Sequence, residues 1–380
     1  MIKIVFTGGG TGGHFYPIIA VAQEVLKIVE ERRLIAPELY YISTDPYDEK
    51  LLYENEIIFR KAPAGKLRRY ASAQNATDPF KTFFGTIKAL VMLFSIYPDV
   101  VFSKGSYVSV PTVMAARILG IPVVIHDSDA IPGRANLWAS KFATRIAISY
   151  PQAIEHFSKK IHDRVALVGN PVRREILHLE KEGTHAFLGF TDDIPTLLIL
   201  GGSQGAEHIN SVVLDALPDL LMKYQIVHQT GKANEQDVAG TASVMLEKHP
   251  YKHRYKPFGY LDNLAMRMSA GAADLIISRA GSGGIFEIAS WGKPAILIPI
   301  REAVSRDQRK NAYAVARMNA ALVLEEENLT PHVLTSEIDR LFSLPDTLKQ
   351  MAENITQLYR PDAARKVAEQ LVAIAQKHEE

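Results

Sequence analysis

The chain has 380 residues, long for one domain and comfortable for two. Its 43 basic and 42 acidic side chains nearly cancel, so the overall charge argues against nucleic acid as a partner. There is no cysteine, which excludes a disulfide framework, thiolate catalysis and cysteine-ligated zinc, and fits a reducing compartment.

The opening "MIKIVF" is too short an apolar run for a secretory leader and leads straight into a glycine loop. "IKIVF", "LYYIS", "VVFS", "PVVIH" and "RIAIS" are predicted strands of a first part; "TLLIL", "QIVHQ", "DLIIS" and "AILIPI" are predicted strands of a second. Most are nearly continuous in apolar residues and are separated by helical stretches, the pattern of parallel sheets covered on both faces. "IKIVFTGGGTGGH" and "TLLILGGSQGAEHIN" repeat one unit of strand, glycine loop and helix. Two doubly wound domains in tandem follow, with the join near "VGNPVRREI", where Asn170-Pro171 interrupts the pattern. Within the first part, "ALVMLFSIY" is the most apolar helical run. Its nine residues fall short of the ~20 that span a bilayer, so a soluble or peripheral protein is expected. The last segment places Val367, Leu371 and Ile374 on one face of an amphipathic closing helix.

Gly8, Gly10 and Gly13 satisfy a G-x-G-x-x-G pattern after a strand. The acidic partner of a dinucleotide site should follow by ~20 residues, yet Asp45 comes 32 after Gly13. No G-x-x-x-x-G-K-[ST] is present either. The loop therefore reads as a tight turn or as backbone approached by a bulky polar ligand. His14, where the loop enters its helix, lies outside the carboxyl end of the first strand. There its ordinary pKa suits proton abstraction. "GGSQGAEHIN" (201–210) opens the second part's first helix, an anion site to which Ser203, Gln204 and Gly205 can add donors. "SRAGSGGIFE" makes a third glycine-rich turn and sets Glu287 in the helix after it, where a carboxylate can accept from both ribose hydroxyls. Gln308 and Asn311 share a helix face farther on. Three polar helix starts suit a nucleoside diphosphate; a bare loop with one base suits an acceptor. The implied chemistry is transfer from a nucleotide-activated donor.

"GKLRRYASAQNATDPFKTFFGTIKALVMLF" interleaves Lys66, Arg68, Arg69, Lys81 and Lys88 with Leu67, Phe80, Phe83 and Phe84. It reads as an ordinary amphipathic helix or as an anionic-membrane contact. The D-x-D Asp127-Ser128-Asp129 lies in the first part, away from the expected diphosphate site, so no donor metal is expected.

"GGGTGGHFYPIIAVA", "GSYVSVPTVMAA", "GNPVR", "LGGSQGA", "SRAGSGGIFEIASWGKPAILIP" and "DQRKNA" resemble, in order and spacing, the motifs of the MurG family of bacterial peptidoglycan synthesis. The resemblance spans nearly the whole chain. It implies an α/β GT-B fold: two Rossmann-like doubly wound domains facing across a deep cleft, here 1–168 and 169–358, with 359–380 a helix packing back on the first. It implies an inverting glycosyltransferase that moves N-acetylglucosamine from UDP-N-acetylglucosamine to undecaprenyl-linked lipid I, without cofactor, as a peripheral enzyme of the cytoplasmic face of the cell membrane. Thr11, Gly12, Gly13 and His14 would lie near the donor sugar. Arg173 and Ser203 would contact the diphosphate. Tyr260 or the Leu261 backbone would border the uracil, Glu287 the ribose, and Gln308, with Asp307, the sugar. Gly10, His14, Tyr107, Asp127 and Asn136 would face the acceptor, with His14 the base and Asp127 its rival. The chain departs from the family where His-Glu-Gln-Asn becomes His126-Asp127-Ser128-Asp129. It departs again where Gly-Gly-Tyr becomes Gly105-Ser106-Tyr107, at Gly284 for threonine and at Asp307 for glutamine. The altered acceptor loop leaves a diacylglycerol glycosyltransferase as another reading; a UDP-N-acetylglucosamine 2-epimerase on the same fold, to which "GGGTGGH" is the poorer match, and a non-catalytic sugar-nucleotide-binding subunit are two more.

Overall fold

The computed structural model describes residues 1–66, 74–180, 182–202, 206–301 and 306–379. The aliphatic runs become strands whose two faces are covered. β1 (Lys3–Thr7), β2 (Glu38–Ser43), β3 (Ile57–Lys61), β4 (Val100–Ser103), β5 (Val123–Asp127), β6 (Arg145–Ile148) and β7 (Val165–Leu167) form one parallel sheet in the order β3-β2-β1-β4-β5-β6-β7. β8 (Thr196–Leu200), β9 (Gln225–Gln229), β10 (Tyr255–Phe258), β11 (Leu275–Arg279), β12 (Ala295–Ile298) and β13 (Leu322–Val323) form a second, in the order β10-β9-β8-β11-β12-β13. Both reverse direction beside their first strand, at β1/β4 and β8/β11. In doubly wound sheets the crevice for ligands opens at the carboxyl ends of such a pair.

Four of these strands, β3, β7, β10 and β13, are absent from the set the sequence predicts. β3 is an edge whose residues are mostly exposed or half-exposed, so it lacks the continuous apolar signature. β10 carries Pro257, tolerated because β10 pairs only with β9. β13 is two residues long.

The chain divides into two units, Met1–Arg173 with Arg360–Glu380, and Arg174–Tyr359. In the first, Phe6, Phe15, Ile18, Ile28 and Phe102 form the core together with Val367, Ala368, Leu371, Val372 and Ala375 of the closing helix Ala363–Glu379. Ile374 is only half-buried; Ala375 takes the core position. Arg365 at the start of that helix donates to both carboxylate oxygens of Glu31, at 2.7 and 3.2 Å. In the second unit, Leu197, Ile199, Val213, Leu217, Ile226, Ile277 and Ile296 pack with Leu334 and Ile338.

The apolar segment after residue 73 is longer than its nine-residue core implies. One helix runs from Gln74 to Ile96, and Thr77–Ile96 is long and apolar enough, by length and composition alone, to cross a membrane. It packs instead along the helix Ser106–Leu119, burying Thr86, Ala89, Leu93 and Ile96.

Leu371 is fully buried at the centre of the closing helix. Leu371→Ala is expected to cost the first unit about 2–5 kcal/mol in urea unfolding. An unchanged midpoint would show that the helix adds nothing to that core.

Candidate active site

At the carboxyl end of β1 the backbone of Gly8, Gly9 and Gly10 has φ of 140°, 142° and 83°, a path open to glycine. The protein's own neighbours crowd it. The Tyr41 hydroxyl donates to the Gly8 carbonyl at 2.6 Å, and a Cβ at Gly9 would sit 2.6 Å from that hydroxyl and 2.8 Å from the Ser43 hydroxyl. Gly13 differs: its φ is ordinary and the nearest atom to a Cβ there is Thr11 Oγ1 at 3.8 Å. Nothing in the described fold requires glycine at 13.

Thr11 is the N-cap of the helix Gly12–Glu31, but its side chain makes no capping bond. Its hydroxyl lies 2.9 Å from His14 Nδ1 and fixes the ring. Although His14 keeps part of its surface exposed, protein surrounds the ring densely enough that burial pulls its pKa down to about 4, helped by the Lys104 ammonium. The imidazole is neutral at pH 7.

Lys104, just past β4, went unremarked in the sequence, where a lysine after "VVFS" looks like a strand end turning to solvent. It is 1% exposed, and its Nζ has no hydrogen-bond partner. Burial lowers its pKa to about 8, against the carboxylates of Asp127 and Asp129. Gly105 and Ser106 follow with φ of 87° and 70°. Thus the serine that replaces a glycine sits in the left-handed region.

Asp127 ends β5. Its carboxylate accepts from Asp129 N at 3.0 Å, Gly133 N at 2.9 Å and Asn136 Nδ2 at 2.8 Å. Asn136 Nδ2 also donates to the His126 carbonyl at 3.0 Å. His126 is fully buried, with Nε2 2.8 Å from the Gly169 carbonyl, and burial holds its pKa well below the usual value. The structure thus joins Asp127 to Asn136. Tyr107 borders Gly10, its ring 4.0 Å from where a Cβ would stand. Arg173 closes the first unit, its guanidinium 4.1 Å over the Tyr16 ring.

In the second unit, the helices Glu207–Leu220 and Ser282–Trp291 begin at Ala206 and Gly281 without a side-chain cap, whereas Asp48, Asp262 and Thr330 cap other helices. Ser203, Gln204 and Gly205 lie outside the described residues, as do Leu67, Arg68 and Arg69. Leu261 donates its N–H to Gln229 Oε1 at 3.1 Å, so only its carbonyl remains for a base edge. Tyr260 is partly exposed, with Lys232 Nζ 5.1 Å over its ring. Glu287 is half-buried in the second turn of its helix. Gln308, in the helix Arg306–Ala316 with Asp307, accepts from Ile300 N at 3.2 Å, and its Nε2 is 3.8 Å from where a Gly281 Cβ would be. Gln308 therefore meets the β11 turn. Asn311 is buried rather than sharing an open face with it. Among the described residues no group of three or more His, Asp or Glu is placed to hold a metal ion.

Residues 4–148 match the glycosyltransferase family 28 N-terminal domain, and residues 196–369 the family's C-terminal domain. A relative from Bacillus anthracis named UDP-N-acetylglucosamine--N-acetylmuramyl-(pentapeptide) pyrophosphoryl-undecaprenol N-acetylglucosamine transferase 2 is 39% identical over 343 residues, 90% of this chain and 92% of that one. The solved structure of Acinetobacter baumannii MurG is similar with a TM-score of 0.73 at 25% identity, over 98% of this chain and all of that one. UDP-GlcNAc 2-epimerase from Neisseria meningitidis, bound to UDP-GlcNAc, gives 0.69 at 17% identity over 98% and 99% of the two chains, a likeness of fold alone.

Because the left-handed region costs an L-residue about 1–2 kcal/mol, and glycine returns part of that through the unfolded chain, Ser106→Gly is expected to raise stability by up to about 1 kcal/mol. Chemical denaturation measures it; a less stable variant would mean that the serine side chain is held in place.

Proposed function

Starting from a chain that belongs to the MurG family within glycosyltransferase family 28, we propose that it transfers N-acetylglucosamine from UDP-N-acetylglucosamine to the C4 hydroxyl of the muramyl sugar of lipid I. The product is lipid II, the precursor on which peptidoglycan synthesis, and with it cell shape and division, depends. The observation that carries the reading is His14, held by Thr11 at the carboxyl end of β1 and unprotonated at neutral pH.

The acceptor oxygen attacks the anomeric carbon from the face opposite UDP. The new glycosidic bond forms as the bond to the β-phosphate oxygen breaks, and that electron pair leaves with UDP; the configuration inverts. The hydroxyl proton passes to His14 Nε2, in the tautomer whose Nδ1–H donates to Thr11 Oγ1. Asp127 is the poorer base because its carboxylate already accepts three hydrogen bonds. It positions Asn136, which with Tyr107 and Gly10 serves the acceptor. In the second unit the uncapped helix after β8, with Ser203, Gln204 and Gly205, receives the diphosphate. Glu287 takes the ribose, Gln308 and Asp307 the sugar, and Tyr260 with the Leu261 carbonyl the uracil. UDP-N-acetylglucosamine is substrate rather than cofactor.

The lipid-linked acceptor calls for a membrane surface, and the helix Gln74–Ile96 offers one. Phe80, Phe84, Ile87, Val91 and Phe94 recur every three or four residues, all exposed, Phe94 at 75%. Phe83 stands beside Phe84, and Lys81 and Lys88 flank the face. Aromatic and basic groups together favour the anionic interface of a bilayer, on the cytoplasmic side where UDP sugars are used.

The decisive assay supplies radiolabelled UDP sugars with either a lipid I analogue or diacylglycerol. Product on lipid I from UDP-N-acetylglucosamine is expected; product on diacylglycerol alone would replace the acceptor. His14→Ala should lower kcat by roughly 10²–10⁴-fold, the usual worth of a positioned general base. Gly13→Ala should keep or raise the melting temperature while lowering kcat/KM, because only a ligand needs that space. In sedimentation with anionic phospholipid vesicles, charge reversal at Lys81 and Lys88 should release the protein at moderate salt, at about 1 kcal/mol per lysine. Phe80→Glu with Phe84→Glu should release it further, and unchanged binding of both variants would remove this face from the interface.

A further inference from the structure

A buried ion pair seldom outdoes well-packed apolar side chains of similar volume in stability. Arg279 and Glu326 form such a pair in the second unit. The Arg279 guanidinium donates to Glu326 Oε1, and the two side chains are only 13% and 9% exposed. The transfer described above uses neither residue. Arg279 ends β11 and Glu326 follows β13, with β12 between those strands. Arg279 also donates to the carbonyl of Ile298, the last residue of β12. The other carboxylate oxygen, Glu326 Oε2, accepts the Arg301 backbone N–H at 3.3 Å. One residue earlier, the Ile300 N–H donates to Gln308 Oε1 at 3.2 Å. Successive backbone N–H groups of the segment leaving β12 are thus taken by Glu326 and by Gln308. The bond to Ile300 commits the Gln308 carbonyl oxygen, so the amide presents its Nε2 toward the β11 turn, 3.8 Å from where a Gly281 Cβ would be. Glu325, beside Glu326, accepts from Arg309 Nε and from the Tyr313 hydroxyl, both at 2.8 Å. It ties the helix Arg306–Ala316, which carries Gln308, to the same short segment.

We propose that Glu326 is a positioning residue for recognition of the sugar: paired with Arg279, it holds the Arg301 N–H and so fixes the segment whose Ile300 N–H orients the Gln308 amide. The proposal rests on Gln308 as the sugar contact but concerns a different residue and the backbone that joins the two. A group acting through Gln308 affects the sugar and spares the nucleotide, whose diphosphate, ribose and base fall to other residues in the reading above. A pair kept for stability alone is replaceable by apolar side chains. A pair kept to hold this segment is not, because no apolar side chain accepts the Arg301 N–H.

The test measures dissociation constants for UDP-N-acetylglucosamine and for UDP on the full-length protein by calorimetry. Glu326→Ala leaves Arg279 buried alone and should unfold more easily, so the double variant Arg279→Met, Glu326→Leu carries the test, since it leaves no lone charge inside. Its melting temperature should match or exceed that of the wild type. Its affinity for UDP-N-acetylglucosamine should nevertheless fall about 3–10-fold, the worth of one hydrogen bond, while that for UDP changes less than about twofold. Gln308→Ala should show the same selective loss. A double variant that binds UDP-N-acetylglucosamine like the wild type, beside a Gln308→Ala that does not, overturns the proposal alone. An equal loss for UDP in the double variant marks a general disturbance of the site and overturns it too. Wild-type affinity for both nucleotides in Gln308→Ala would instead overturn the assignment of Gln308, and the proposal with it.

Discussion

The carboxylate of Asp127 organises the first unit's functional end. It is nearly inaccessible, and three donors converge on it from the loop that follows and from the short helix Arg134–Ala139 beyond it. Asn136 is on that helix; its amide also bonds the His126 carbonyl and stands where a Cβ on Gly105 would collide, 2.7 Å from its Nδ2. Gly105 and Ser106 must therefore turn through positive φ before the helix Ser106–Leu119 can start. That helix in turn supports the apolar helix Gln74–Ile96. The same carboxylate counters Lys104. The loop after β5, the buried Lys104 and the helix Gln74–Ile96 are thus linked through one side chain. The shorter reach of aspartate, compared with glutamate, belongs to that linkage rather than to the acceptor directly.

The fold was largely legible because parallel strands buried on both faces announce themselves as unbroken apolar runs, and because the strand–glycine loop–helix unit occurs twice. What escaped were edges, where alternation or proline replaces that run, as in β3 and β10. Local placement was legible where it depends on residues close in sequence: His14 beside its loop, and Gln308 on the helix that follows β12. It was illegible where distant strands meet. Nothing in "TGGGTGGH" foretells that Gly9 is confined by Tyr41 and Ser43, more than 30 positions on, which leaves Gly13 as the glycine the fold does not demand. Lys104 is illegible for the same reason, because only the β1–β4 pairing and the approach of the β5 loop reveal that it is buried.

The two units share a strand order and use it differently. After β1 the helix start is occupied by protein groups: Thr11 turns its hydroxyl to a histidine, and a lysine lies beneath. After β8 and β11 the starts are bare backbone at Ala206 and Gly281. The helix starts after β1, β8 and β11 all lack a side-chain cap, worth about 1 kcal/mol; on the proposed reading the latter two would turn their N–H groups to an anion. A cationic, proton-handling end and an open, anion-accepting end are what a transfer from a nucleoside diphosphate to a hydroxyl requires. In the GT-B-like fold that division falls naturally on the two doubly wound sheets.

The helix Gln74–Ile96 shows the same separation of folding from function within one element. Its inner face, Ala89, Leu93 and Ile96, suffices to seat it on the helix Ser106–Leu119. The outer phenylalanines contribute nothing to that packing and expose apolar surface to water. A side chain of this size forgoes about 1.5–3 kcal/mol when left unburied. Five such residues at helical spacing form a contiguous stripe rather than scattered exceptions, and contiguous exposed stripes mark surfaces that are covered when the protein works. Lys81 and Lys88 beside the aromatic rings fit the anionic bilayer surface proposed above. A lipid-linked acceptor is confined to that surface, so an enzyme resting on it searches in two dimensions instead of three. On the proposed reading, the exposed stripe would then belong to the acceptor-binding machinery without touching the reacting sugar.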